Sequence, residues 1–363
     1  MKLKFAVPIA AALALWAKLD APFEYIVAPS TETNKRNSEA DVLPLKDGRL
    51  MLAWTEFFTG NGSDWGSAQI SALFSSDQGK TWSNKTLLQE NIGTMNVMEP
   101  DLLELKSGKI AFLFCRKNSE ADCQPMARFS RDGGKSFNPA KPIPVDPMPA
   151  YTGMNNDRLI QLKSGRLVLP LWYTPDYRID KHIRTRVYYS DDDGESWRQS
   201  RTLIDLPDSP SGAQEPGVVE LKDGSILLWV RTDKGKIYHC YSRDKGETWS
   251  QLQPMALDSP RSPQSIKRHP KTGDLVLVWN NSKDQRFPLA AAVSKDEGKT
   301  WTNIRNLDPD PAHTYAYTSM LFLNDRAIFT YYAGPPAGVK SEGRWSLKLK
   351  AVPLSWFYDS PRP

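Results

Sequence analysis

The sequence predicts an all-β protein folded as a six-bladed β-propeller, and two interleaved repeats and the composition predict it. The first repeat, Ser-x-Asp-x-Gly-x-Ser/Thr-aromatic, occurs as SSDQGKTW (75–82), SRDGGKSF (130–137), SDDDGESW (190–197), SRDKGETW (242–249) and SKDEGKTW (294–301). The second is an apolar strand, a tight turn and another apolar strand, as in DVLPLKDGRLMLAW (41–54) and GVVELKDGSILLWV (217–230). Hairpins of this kind also start at 101, 158, 265 and 319, each with Gly, Asn or Asp where the turn demands a positive φ. The 28 Pro and 12 Trp in 363 residues suit many short strands joined by turns. Successive Ser-x-Asp turns begin 55, 60, 52 and 52 residues apart, which is the period of a four-stranded propeller blade.

The elements follow in order. Each of the first five hairpins supplies the inner and second strands of a blade, and is followed by a third strand, a Ser-x-Asp turn and an outer strand. The sixth lacks that turn, and RWSLKLKAVPLSWF (344–357) supplies its outer strands. The segment FEYIVAP (23–29) closes the ring by pairing with this last blade. One propeller domain over 22–363 is expected, with an open sandwich as the alternative. Ahead of it, MKLKFAVPIAAALALWA (1–17) has the shape of a signal peptide: two lysines, then an apolar run too short to span a bilayer. It implies export to the periplasm or the cell exterior. A short uncleaved anchor or a buried segment is the alternative.

Charge and cysteine content exclude other classes. A formal charge of +5, with two of the lysines in the leader, gives no reason to expect a nucleic-acid or acidic-membrane partner. Three cysteines are too few for a disulfide scaffold, although an oxidising compartment could join Cys115 and Cys123 across their hairpin. The four histidines are scattered, and no spacing resembles a metal site, so no metal or other cofactor is expected.

Strand parity separates frame from site. The Ser-x-Asp turns join third to outer strands on one face of the disc. The starts of the inner strands and the second–third loops lie on the other face, around the axis. The repeat is therefore frame: its Asp accepts turn N–H groups, its Gly makes the bend and its aromatic packs between blades. The inner strands begin with an unusual density of ionisable and amide side chains, among them Arg36, Glu39, Glu99, Asn156, Asp157, Arg158, Gln214, Glu215, Gln264 and Tyr317. Together they suggest a pocket for a polar small molecule.

With the residues in view, the chain resembles the sialidase (neuraminidase) superfamily of six-bladed propellers, in which the Ser-x-Asp repeat is the Asp box. The segment QEPGVVELKDGSILLWVR (214–231) is similar to the family's Glu-x-x-Val-Val-Glu-Leu-x-Asp-Gly…Arg motif. The resemblance implies that Glu215 activates the nucleophile and that Arg231 belongs to a clamp for the substrate carboxylate. Arg286, eight residues before Ser294, fits a second clamp arginine. YAYTSMLFL (315–323) resembles the nucleophile strand and places the nucleophile at Tyr317, while Asp64, thirteen residues before Asp77, fits the acid/base. Two departures accompany these matches. The family's Arg-Ile-Pro is absent, leaving Arg36 about one position out of register, and the acidic residue that supports that arginine is replaced by Ala333. The implied activity is retaining exo-hydrolysis of a terminal acidic sugar such as sialic acid from a glycan. The alternatives are a hydrolase or lyase for uronic acid- or rhamnose-containing polysaccharide, and a non-catalytic propeller that binds glycan or protein.

Overall fold

The computed structural model describes residues 21–59, 62–336 and 344–359; the expected leader at 1–17 lies outside them. Apart from one short 3-10 turn at Leu354–Phe357, every regular element among these residues is a strand. They form five sheets. Four have four strands, and three of these are meanders, such as Gln214–Glu220, Ile226–Arg231, Lys236–Ser242 and Gln253–Asp258 in that spatial order. The fifth has nine strands and holds the second and third hairpin units. As strands these units pair where Tyr151 lies parallel to Cys123. The strand Phe23–Ala28 pairs antiparallel with Ser346–Pro353, so the N-terminal strand completes the last sheet as its sequence position implies.

Apolar alternation along the strands lets consecutive units bury their faces against each other. Val218, Ile226 and Leu228 pack on Val168 and Val187 of the preceding unit. Leu347 and Leu349 of the last unit pack on Leu50 and Leu52 of the first, so the chain of contacts returns on itself. Each Ser-x-Asp aromatic sits in the cluster between its own unit and the one before: Trp82, Phe137, Trp197, Trp249 and Trp301 all obey this rule.

The five turns share one hydrogen-bond pattern. In the first, Ser75 Oγ donates to Asp77 Oδ1 (2.8 Å) and accepts from Gly79 N (2.8 Å), while Thr81 N and Oγ1 donate to Asp77 at 2.9 and 2.6 Å. The Ser faces the start of its second strand, as Ser75 faces Leu50 and Ser242 faces Ile226. The turns therefore lie at the opposite end of the strands from Phe57 and Arg231, on the face that parity assigns to them.

Near the axis, buried carboxylates tie one inner strand to another. Asp41 accepts from Leu102 N (2.7 Å), Asp101 from Arg158 N (2.9 Å) and Leu159 N (2.7 Å), and Asp157 from Met320 N (2.9 Å). These bonds satisfy amides that no neighbouring strand reaches, because inner strands diverge from one another around a closed ring. Cys115, Cys123 and Cys240 are buried and form no disulfide; Cys115 opposes Pro125 and Cys123 opposes Lys117, so the two hairpin cysteines sit diagonally across the ladder with their thiols in hydrogen-bond contact.

Candidate active site

The inner strands do not reach the axis as regular strands. Glu39, Glu99, Glu215 and Tyr317 have φ of 44°, 61°, 44° and 58°, in the left-handed region that side chains other than glycine avoid. Each sits where the ladder with the second strand slips, between Ser38 and Ala40, Met98 and Asp101, Gln214 and Gly217, and Ala316 and Ser319. These are β-bulges. The extra residue re-aims its side chain towards the axis at a cost of about 1–3 kcal/mol each, which the surrounding packing must offset. Asn156 contributes to that restraint: its Nδ2 donates to Ala40 O (2.6 Å) and Tyr317 O (3.2 Å).

The bulges open onto a cavity of about 250 Å³. Its wall includes Tyr317, Glu215, Asp64, Arg36, Arg231 and Arg286, so all six residues assigned a role by resemblance come together. Tyr317 Oη donates to Glu215 Oε1 (3.3 Å), and Arg231 Nη1 donates to Glu215 Oε2 (2.6 Å). The guanidiniums of Arg36 and Arg286 each lie 5.9 Å from the Tyr317 ring centre. Arg286 donates to Tyr332 Oη (2.7 Å), and Arg36 donates to Asp64 Oδ1 (2.5 Å).

Burial and neighbouring charge set the proton affinities. Burial, then the Glu215 charge, drive the Tyr317 phenol well above its usual value of 10, against the pull of Arg231 and Arg286. Burial also works to raise Asp64, but Arg36, Lys117 and Arg286 overcome it and hold the carboxyl down to about 2. Its side chain is 47% exposed, so much of this interaction is screened by solvent. Glu99 is pushed well above the usual carboxylate range by burial and by Glu39 and Glu215, with Lys117 opposing.

Of the remaining residues expected to line the pocket, Glu99 and Gln214 do so. Glu39 is fully buried behind Arg36, with which it pairs, and accepts from Ser38 Oγ (2.5 Å). This contact answers the loss at Ala333: the support for Arg36 comes from its own strand, three residues on. Asn156, Asp157, Arg158 and Gln264 lie off the cavity wall, in the axial network. Asp157 pairs with Lys267, Arg158 donates to Gln264 O (2.8 Å), and Gln264 donates to Ser262 O (2.6 Å). Their strand positions are those of wall residues. Asp157 and Arg158 turn instead to Lys267 and Gln264 of the fifth unit, and Asn156 to backbone carbonyls of the first and sixth.

Sequence reasoning missed an aromatic side of the cavity, formed by Trp65, Tyr151, Trp172 and Tyr177. Their ring centres lie 5.0–6.2 Å apart. Trp172 reaches its place because Gly153 lies opposite it; a Cβ there would come within 2.4 Å of the indole. Arg261, Lys117 and Tyr332 were missed as well. One signal was available for Tyr332: it faces Ala316, the residue before Tyr317, as Arg231 faces Gln214, the residue before Glu215.

Comparison with known proteins agrees with this architecture. The family profile for a BNR repeat-like domain matches residues 107–330. A sialidase of Bacteroides fragilis is 22% identical over 237 residues, covering 61% of this chain and 41% of the relative. A sialidase of Paraclostridium sordellii is 25% identical over 237 residues, covering 58% and 56%. The chain thus spans about half the length of the sialidases it matches. The crystal structure of the NanB sialidase from Streptococcus pneumoniae superposes with a TM-score of 0.74 over 92% of this chain and 71% of that one, at 17% identity, a likeness of fold. The chain belongs to the BNR repeat-like family, within the sialidase superfamily.

Proposed function

We propose that this protein is a sialidase-like exo-glycosidase that removes a terminal acidic sugar from a glycan with retention of configuration. The observation that carries the proposal is the Tyr317–Glu215 pair, set among guanidiniums in a cavity with Asp64 on its wall. A sugar with a carboxylate on its anomeric carbon would repel a carboxylate nucleophile, and a tyrosine avoids that repulsion. Arg36, Arg231 and Arg286 hold the substrate carboxylate by forked, charge-assisted hydrogen bonds. Tyr317 Oη attacks the anomeric carbon and passes its proton to Glu215 Oε1, while Asp64 protonates the departing glycosidic oxygen. Asp64 then takes a proton from water, the resulting hydroxide attacks the same carbon, and Tyr317 leaves, recovering its proton from Glu215.

The empty site keeps Asp64 ionised on Arg36. A substrate carboxylate that takes over Arg36 frees Asp64 to be protonated, so the acid becomes competent only when an acidic sugar is bound. The frame belongs to the same proposal: with the nine-stranded sheet counted as two blades, the ring has six. Export follows from the leader-like sequence at 1–17. The test is hydrolysis of a fluorogenic sialoside beside aryl glycosides of uronic acids and rhamnose, with NMR identifying the first-formed anomer. Release of the retained anomer from an acidic glycoside is expected. Turnover of neutral glycosides alone, or inversion, overturns the proposal.

A further inference from the structure

Lys117 has no role in the scheme above, and its surroundings are unusual for a lysine. It lies near the end of the strand Ile110–Ser119 and is fully buried. Among the described residues it forms no ion pair. Its Nζ donates instead to the backbone carbonyl of Asp64 (3.0 Å) and rests against Met98 Sδ (3.1 Å). The ammonium lies 4.7 Å from the ring centre of Trp65 and 5.3 Å from that of Tyr151. Asn96 Nδ2 donates to the same Asp64 carbonyl (3.0 Å) and to Gly66 O (2.8 Å). The loop that carries Asp64 leaves the first hairpin unit, yet its backbone is held by two donors from the second. A buried charge without a counter-ion is costly, and a methionine or leucine would fill the same space without that cost.

We propose that Lys117 is a positioning residue for the acid/base carboxyl: it pins the Asp64–Trp65 backbone and places a positive charge, held by no direct ion pair, beneath Asp64. This rests on the acid/base role proposed for Asp64. The charged and titratable groups that face Asp64 are Arg36 and Glu39 from the first inner strand, Lys117, Arg286, Tyr151 and Tyr317. Arg36 is bonded to the carboxylate directly, and Lys117 follows it in favouring the ionised form.

Two substitutions test the proposal. Lys117→Met removes both the charge and the donor; Lys117→Gln removes the charge and keeps a donor for the Asp64 carbonyl. A cation favours the carboxylate, so losing it raises the Asp64 pKa. A general acid works protonated, so the alkaline limb of the kcat profile should move to higher pH in both variants. Mispositioning should appear only where protonation of the leaving group matters. Lys117→Met should lose at least about tenfold in kcat on a glycoside with a sugar leaving group, and less than about threefold on a nitrophenyl glycoside. Lys117→Gln should recover most of that loss. Equal losses on both substrates, or an alkaline limb that stays in place, overturn the proposal. A readout independent of turnover is the NMR titration of the Asp64 carboxyl carbon in the empty protein. Its midpoint should rise in both variants, and an unmoved midpoint refutes the role of Lys117 even if the wild type cleaves sialosides. Wild-type protein inactive on every acidic glycoside speaks against the proposed function alone, and the titration still decides for Lys117.

Discussion

Replacing Tyr317 by Phe removes the proposed attacking oxygen and little else. The ring stays packed against Tyr332, whose centre is 5.8 Å away, and among the described residues the hydroxyl's one hydrogen bond is the 3.3 Å contact with Glu215. Losing so long a bond should cost no more than about 1 kcal/mol of stability. The kinetic cost is much larger. With an ordinary pKa of about 10, a phenol at pH 6 is ionised in roughly one molecule in 10⁴. Burial and the Glu215 charge make the phenolate of Tyr317 rarer still. The nucleophile therefore depends on handing its proton to Glu215 during attack, and about 10⁴ is a lower estimate of what that transfer contributes. Tyr317→Phe and Glu215→Gln should each lower kcat on a fluorogenic sialoside by about 10⁴ or more, and the double variant should be scarcely worse than either, because both act on one step. A fluorinated sugar that traps the intermediate should label Tyr317, read by peptide mass spectrometry. Labelling of Glu99, or full activity in Tyr317→Phe, refutes the reasoning.

Two further substitutions have expected outcomes. Arg286→Lys keeps the charge but loses the fork and the 2.7 Å bond to Tyr332, so KM for an acidic glycoside should rise by at least about tenfold; an unchanged KM removes Arg286 from the clamp. Asp244→Ala deletes bonds from Ser242 Oγ (2.8 Å), Thr248 N (2.9 Å) and Thr248 Oγ1 (2.5 Å), and should lower stability by about 1–3 kcal/mol while turnover per folded molecule holds. Burial works to raise the Asp244 carboxyl, but the Thr248 and Ser242 bonds hold it below its ordinary 3.8. A depressed folded-state pKa means that the ionised form stabilises the fold above the ordinary value and that this contribution is lost as pH falls through the folded one. The Tm gap between wild type and Asp244→Ala should therefore narrow below pH 3.8, and a gap that stays constant would show that the turn does not depend on the charge.

The frame was legible because its cause is local. Ser75, Asp77, Gly79 and Thr81 satisfy one another within seven residues, so the same bonds recur wherever the same letters recur. Strand parity was enough to put Glu215, Tyr317, Arg231, Arg286 and Asp64 on one face, since alternation and hairpin order are both written in the sequence. Depth is a different matter. Glu39, Glu99 and Asp157 carry positive φ and acidic side chains alike, yet Glu99 faces the cavity, Glu39 backs Arg36 and Asp157 pairs with Lys267. No local pattern separates them, because the three share one left-handed backbone conformation and differ only in the partner that tertiary packing leaves each of them.

By itself, the sequence determined the repeat, the all-β class, the pairing of the first strand with the last sheet and the residues that meet at one mouth. Short-range hydrogen bonding and the two-residue period of a strand dictate all of these. Tertiary structure alone decided that Arg36 leans on Glu39 rather than on the position of Ala333, and that four aromatic rings wall one side of the cavity. It alone set a buried ammonium under Asp64. The Arg36–Glu39 pair needs the bulge that turns Glu39 back along its own strand, and the aromatic wall and the ammonium bring in side chains from neighbouring units, so packing of whole sheets decides them.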